Sequence, residues 1–169
     1  MRIVLQRVKE ASVRSGGREV GRIGGGLLLL VGLGKDDGPD EVRFWAQKVP
    51  DLRVFPDEEG RMNRSLRDVG GEILCVSQFT LYGEASRGRR PGFERAAPSA
   101  EASSLYEAFL AELRAQGVPV QSGPFGARME VALINDGPVT LILERSPAQW
   151  GHTEGGTHGG STQITKIPS

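Results

Sequence analysis

Apolar and polar positions alternate with a period of two over residues 2–8, Ile3 and Leu5 on one side and Val4 and Gln6 on the other. That is the pattern of a half-buried strand. Val13 to Ile23 predicts two hairpin arms around Ser15-Gly16-Gly17, where glycine supplies the positive φ of a tight turn. Gly24-Gly25-Gly26 then breaks the chain before Leu27–Val31, a short apolar run that predicts a strand buried on both faces. Asp37-Gly38-Pro39 starts a helix, with Pro in the first turn where its missing N–H costs nothing. Val42, Trp45, Ala46 and Val49 fall on one face of that helix, and Pro50 ends it.

Leu52–Phe55 reads as a strand, Asp57–Gly60 as its turn and Glu72–Phe79 as a central strand. A second helix is predicted from Ser99, as its cap, to Gln116, with a buried stripe of Leu105, Tyr106, Phe109, Leu110 and Leu113 and a stop at Gly117. Val120–Ser122, Met129–Asn135 and Val139–Glu144 complete the strands, the last two joined by Asn135-Asp136-Gly137-Pro138-Val139-Thr140, which reads as a hairpin turn. These elements predict one mixed α/β domain over residues 1–145, its sheet layers covered on one side by helices. Residues 146–169 are Gly/Ser/Thr-rich and without apolar periodicity, and are expected to form a flexible tail.

Composition narrows the chemistry. The 169 residues carry 21 Lys+Arg against 21 Asp+Glu, so bulk electrostatic attraction to nucleic acid is excluded while a local patch is not. No signal-peptide core opens the chain and no apolar run approaches the ~20 residues of a membrane span, so a soluble cytoplasmic protein without membrane contact is expected. Both histidines, His152 and His158, lie in the tail. The domain therefore lacks a His-based triad and any His-ligated zinc within one chain, and no metal or other cofactor is expected. The single Cys75, mid-strand between Leu74 and Val76, reads as a buried hydrophobe. Three consecutive glycines without a following Lys-Ser/Thr are a turn, not a phosphate loop. Asp57-Glu58-Glu59 before Gly60 is a solvated turn.

Three segments remain as candidates. Ser77-Gln78-Phe79-Thr80-Leu81 places hydroxyls and an amide where a central strand ends, a position from which they can orient a substrate or receive its charge. Asn135–Thr140 is a second polar interruption between apolar strands. Arg87, Arg89, Arg90 and Arg95, interleaved with glycines and Phe93, form a compact basic loop that is either a phosphate-binding patch or an ordinary surface.

With Gln6-Arg7-Val8, Leu52–Phe55 through Gly60-Arg61-Met62-Asn63, Ser77–Leu81, Arg90–Phe93, Phe125–Met129 and Asn135–Thr140 in this order, the chain resembles the D-aminoacyl-tRNA deacylases of the bacterial and eukaryotic type from Met1 to about Glu144. Gly92 stands where the family usually has Ser, Pro50 interrupts the end of the first helix, and the tail is extra. The resemblance implies a three-layer β/β/α fold and a homodimer with active sites across its interface. Ser77, Gln78, Phe79 and Thr80 of one chain would form the catalytic strand end. Gly137-Pro138 of the other, with a cis peptide bond and its carbonyls held by Arg7, would reject L-substrates. Arg87, Arg89 and Arg90 would contact tRNA.

The implied reaction is hydrolysis of the ester joining a D-amino acid, or glycine, to the terminal adenosine of tRNA. An aminoacyl ester is already activated, so positioning and oxyanion stabilisation by backbone N–H groups near Gln78 and Phe79 can replace a strong base. The substrate's own 2′-hydroxyl can assist the attacking water. Thr80 as nucleophile ranks second, because the sequence offers no base to activate it. Rejecting an L-enantiomer by a factor of ~10⁴ takes about 5.5 kcal/mol, more than an apolar pocket supplies, and calls for a rigid wall. Two other readings stay open: a non-catalytic tRNA-binding module using the arginine loop, and an editing enzyme that removes a small L-amino acid.

Overall fold

The computed structural model describes residues 1–145 and the backbone of 163–166; the rest of the expected tail, including His152 and His158, lies outside the described residues. The chain order is β1 (Arg2–Ser15), β2 (Arg18–Ile23), β3 (Gly26–Gly32), α1 (Pro39–Lys48), β4 (Phe55–Pro56), β5 (Met62–Arg64), α2 (Leu66–Val69), β6 (Glu72–Ser77), α3 (Ser99–Ala115), β7 (Val120–Ser122), β8 (Glu130–Glu144) and β9 (Gln163–Lys166). Seven strands form one mixed sheet in the order β7-β6-β3-β1-β8-β9, with β2 pairing on β1. β3, β6 and β7 run parallel, and the other pairings in the sheet are antiparallel.

The glycines of the first hairpin sit at φ 57° and 77°, as the turn between β1 and β2 requires. β1 is long enough to serve both layers. Its first half pairs with β3, and its second half carries β2 over β6 and β7. The apolar run of β3 is divided accordingly. Leu27, Leu29 and Val31 join the main core with Trp45, Tyr106 and Phe109 beneath α1 and α3. Leu28 instead joins Val8, Val13, Ile23, Leu74 and Val76 in a second core between the sheet layers. This is the expected β/β/α layering. Each fully buried Leu, Ile or Phe contributes roughly 1.5–3 kcal/mol of transfer free energy.

Several elements differ from expectation. Leu52–Val54 is not a strand, and pairing begins only at Phe55. Ser99 is the first helical residue of α3, and Pro98, which has no side-chain donor or acceptor, occupies the cap. α2 was not anticipated; it is a single turn closed by a capping box between Ser65 and Asp68. The strand at Gln163–Lys166 pairs with Leu141–Glu144, which the tail's composition did not signal.

Within α1, Trp45 Nε1 donates to Glu41 Oε1 at 2.8 Å. Glu41 Oε2 is buried without a hydrogen bond among the described residues and lies 3.9 Å from Arg145 Nη1. Burial raises the Glu41 carboxyl above the usual carboxylate range, against the pull of the Met1 amine, the Trp45 hydrogen bond and Arg145.

Candidate active site

β6 ends at Ser77, one residue beyond Val76, and Phe79–Tyr82 coils into a single 3-10 turn rather than extending the strand. Gln78 makes the corner. Its N–H donates to Val31 O on β3 at 2.7 Å, and its carbonyl accepts from Leu81 N at 3.2 Å. The Gln78 N–H is thus consumed by the sheet, which removes it from the expected pair of oxyanion donors. The N–H groups of Phe79 and Thr80 open the turn, where a short helix offers them no intrahelical acceptor. Gln78 Nε2 donates to Thr80 Oγ1. No histidine, carboxylate or lysine is hydrogen-bonded to Thr80 among the described residues, so its hydroxyl has no base.

Beside this turn lies a cavity of about 540 Å³ at the carboxyl ends of β3 and β6. Ser77, Gln78 and Phe79 form one wall, Ala102 and Tyr106 of α3 another, and Phe125 and Met129 a third. The carboxyl ends of parallel strands are where an open α/β sheet leaves room for a ligand. Tyr106 donates its O–H to Cys75 O at 2.9 Å and packs its ring 5.8 Å from that of Phe125, which fixes the apolar wall. Burial pushes the Tyr106 phenol up, keeping it neutral, and pushes the Cys75 thiol up to about 12. Cys75 is therefore a thiol and a core residue, as its neighbours indicated. The α3 and Phe125–Met129 lining was not read as site from sequence; those side chains carry the same apolar pattern as the core.

Phe79 is 59 % exposed at the mouth, its ring meeting Phe93 edge-on at 5.1 Å. Phe93 follows the basic loop, whose base is closed by two backbone hydrogen bonds between Glu84 and Gly92 at 2.8 and 2.9 Å. Arg87, Arg89 and Arg90 are exposed on that loop.

Gly137 and Pro138 are not in this cavity. Asn135–Thr140 is no hairpin turn, because the halves of β8 on either side both pair with β1. Thr140 faces Gln6 and Asn135 faces Val8, so the intervening residues bulge outward opposite Arg7 alone. Arg7 is 7 % exposed. Its Nε donates to Asp136 O at 3.0 Å and lies 3.3 Å from the Asp136 carboxylate, while Nη1 donates to Val54 O at 2.6 Å. Asn135 Nδ2 donates to Arg7 O at 2.9 Å and to Val139 O at 3.2 Å.

Gly137 has φ 111°, and a Cβ there would run into the Arg7 guanidinium. The Gly137–Pro138 peptide is trans, contrary to the expected cis bond. The bonds from Arg7 and Asn135 reach the carbonyls of Asp136 and Val139, on either side of that amide, and leave it to the intrinsic trans preference of about 0.5–1 kcal/mol. Both residues are exposed. Arg7 pairs with Leu27 at the start of β3, whereas Val31 at its other end lines the cavity. Four residues of extended chain, ~13 Å, separate them.

Comparison with known proteins decides the family. A family model described as D-Tyr-tRNA(Tyr) deacylase matches residues 4–144. The chain belongs to the D-Tyr-tRNA(Tyr) deacylase family. Among relatives of this deacylase family, a protein of Exiguobacterium sibiricum named D-aminoacyl-tRNA deacylase is 61% identical over 145 residues, covering 86% of this chain and 100% of its own. One of the same name from Thermus aquaticus is 56% identical over 146 residues, covering 86% and 96%. A solved structure titled c-Myc DNA Unwinding Element Binding Protein superposes with TM-score 0.81 at 42% identity, covering 86% of this chain and 99% of that one. A second, titled a probable eukaryotic D-amino acid tRNA deacylase, shares the fold at TM-score 0.73 and 22% identity, covering 83% and 97%.

Proposed function

We propose that the protein hydrolyses the ester of D-aminoacyl-tRNA, and of glycyl-tRNA mischarged on tRNA(Ala), and rejects L-aminoacyl-tRNA. The cavity beside the Gln78–Thr80 turn, in a chain of the deacylase family, carries this reading. Its apolar and aromatic walls suit the terminal adenosine, with the ester carbonyl at the turn. Water adds to the carbonyl carbon, and the developing oxyanion is received by the N–H groups of Phe79 and Thr80. The carbon–ribose oxygen bond then breaks, and the ribose oxygen leaves as a hydroxyl bearing the proton lost by the water. The substrate's 2′-hydroxyl relays that proton; Thr80 is no nucleophile. Arg87, Arg89 and Arg90 meet the phosphates of the acceptor end, held near the mouth by the Phe93–Phe79 contact.

We assign the working form as a homodimer. Leu133, 36 % exposed, and Ile134, 50 % exposed, leave apolar side chains on both faces of β8 beside the exposed Pro138, and a second copy would cover this stretch. The Asp136–Pro138 bulge, remote from its own cavity, would then close the cavity of the partner and stand against the L-face of the α-carbon. The wall is the backbone of that bulge, not a pair of carbonyls flanking a cis bond. The trans Gly137–Pro138 peptide favours one rival, editing of a small L-amino acid in the same cavity. Deacylation of matched D-, L- and glycyl-tRNA by the purified protein separates the readings. Release of D-amino acid and glycine with the L-ester intact is expected; preferential release of a small L-amino acid, or binding without release, overturns it.

A further inference from the structure

The turn that offers the Phe79 and Thr80 N–H groups is short, exposed at Phe79 and Thr80, and too small to hold its own geometry. Its far end is tied to the first strand of the fold. Arg2 Nη1 donates to Leu81 O, and the guanidinium lies 4.9 Å from the centre of the Tyr82 ring. Arg2 is itself held from the other side, its Nε donating to Glu144 Oε1 at 2.6 Å. Tyr82, 8 % exposed, donates its O–H to Asp37 Oδ2 at 3.3 Å. Asp37 is fixed in turn by Gly34 N at 2.6 Å and by the Met1 amine.

Two glycines let the ring lie flat on β3 and its exit. A Cβ on Gly34 would come within 2.8 Å of the Tyr82 Oη, and one on Gly32 within 3.1 Å of Leu81 Cβ and 3.0 Å of Gln78 O. Arg2, Asp37, Leu81 and Tyr82 do not line the cavity.

We propose that Arg2 and Tyr82, with Asp37 behind them, are positioning residues that clamp Leu81 and Tyr82 and so aim the Phe79 and Thr80 N–H groups at the ester carbonyl. This rests on the hydrolytic reading above. A carbonyl acceptor is stabilised only by donors already in place, and a displacement of about 1 Å costs about two orders of magnitude in rate. The clamp acts chiefly on the chemical step, because the α3 and Phe125–Met129 walls and the Glu84–Gly92 base of the arginine loop are anchored outside the turn, which contributes only Phe79 to the grip on substrate.

Tyr82→Phe keeps the ring and removes the Asp37 bond; Arg2→Met removes the Leu81 and Glu144 bonds and the charge over the ring. In full-length protein shown to be folded by circular dichroism, kcat for D-aminoacyl-tRNA should fall about tenfold in Tyr82→Phe and further in Arg2→Met. KM should stay within about twofold, and Arg2→Lys should recover part of kcat. Hydrogen–deuterium exchange over residues 78–83 reads the turn independently of turnover and should quicken in both variants.

Unchanged exchange and unchanged kcat in folded variants overturn the clamp. So does a raised KM at constant kcat, which would make these residues part of the grip on tRNA. If wild-type protein releases no amino acid, the hydrolytic reading fails. Exchange then still decides whether the clamp holds the turn, and its assignment to an ester carbonyl is overturned.

Discussion

The two polar interruptions of this sheet, Ser77–Thr80 and Asn135–Thr140, look alike as bare sequence and are built to opposite ends. The first terminates a parallel strand. Gln78 bonds back to β3, the chain coils into a turn, and the packing around it leaves a cavity in the same protomer. The second interrupts a strand that resumes on the same partner, so its residues are pushed outward rather than folded back. One is a recess with two N–H groups at its edge. The other is an exposed projection whose root is bolted by a buried arginine. A projection stiffened from within and remote from its own cavity is what the proposed homodimer would place against its partner. On the proposed reading, binding belongs to the first region and handedness to the second, so the two should be damaged separately.

The largest effect should come from the bolt. Arg7→Leu leaves the carbonyls of Val54 and Asp136 without a charged donor, and hydrogen bonds to charged groups are worth about 1.5–3 kcal/mol each. A loss of ~3 kcal/mol in urea unfolding is expected, together with a fall in the D/L ratio of about 100-fold, read by release of amino acid from matched tRNAs. Arg7→Lys restores the charge but not the fork and should lie between. A D/L ratio that survives the loss of Arg7 would break the division of labour. Gly137→Ala tests the same projection from its tip. At φ 111°, and against the Arg7 guanidinium, an L side chain is expected to cost ~2 kcal/mol and to shift the D/L ratio in the same direction. Turnover of the D-ester should change less than selectivity in both.

Much of this was visible in the sequence, for physical reasons that also mark the limits. The stripes of α1 and α3 and the glycines of the first hairpin are local signals, and the structure follows them. Leu27–Val31 has no polar residue to interrupt it, the mark of burial on both faces, and Leu28 does enter a different core from Leu27 and Leu29. The sequence pattern carries the central strand to Phe79, whereas it ends at Ser77; the hydrogen bond from Gln78 to Val31 at the corner is non-local and leaves no mark on the local pattern. Asn-Asp-Gly-Pro is turn chemistry, and no local signal tells whether the chain returns beside a new strand or the old one. α2 is too short for periodicity, and only Ser65 and Asp68 at capping-box spacing announced it. Of the site, the polar wall was readable and the apolar walls were not. Tyr106 and Phe125 differ from core residues only in facing a cavity.

A smaller effect sharpens the recess side. Thr80→Ala removes the hydroxyl that accepts from the Gln78 amide but leaves the backbone N–H of residue 80 in place. With no base on Thr80, the expected loss is one hydrogen bond of about 1 kcal/mol, hence kcat reduced less than about tenfold and the D/L ratio unchanged. Complete loss of turnover in a folded Thr80→Ala protein would restore the nucleophile and shift the chemistry from the backbone to a side chain.

The smallest effect lies away from both regions and checks that changes in rate are not changes in fold. Glu41 is buried in α1 with its carboxyl raised by desolvation. A carboxyl raised in the folded state binds its proton more tightly there than in the unfolded chain. Its contribution to stability is present in full below the unfolded value, near pH 4.3, and is lost as pH rises through the folded value. Glu41→Gln keeps an oxygen for Trp45 Nε1 and cannot titrate. The stability of the variant relative to wild type should therefore increase from pH 4 toward neutrality, as measured by urea unfolding across that range, while kcat and the D/L ratio stay constant. A difference that instead declines with pH would mean that the ion pair with Arg145 outweighs burial at this site.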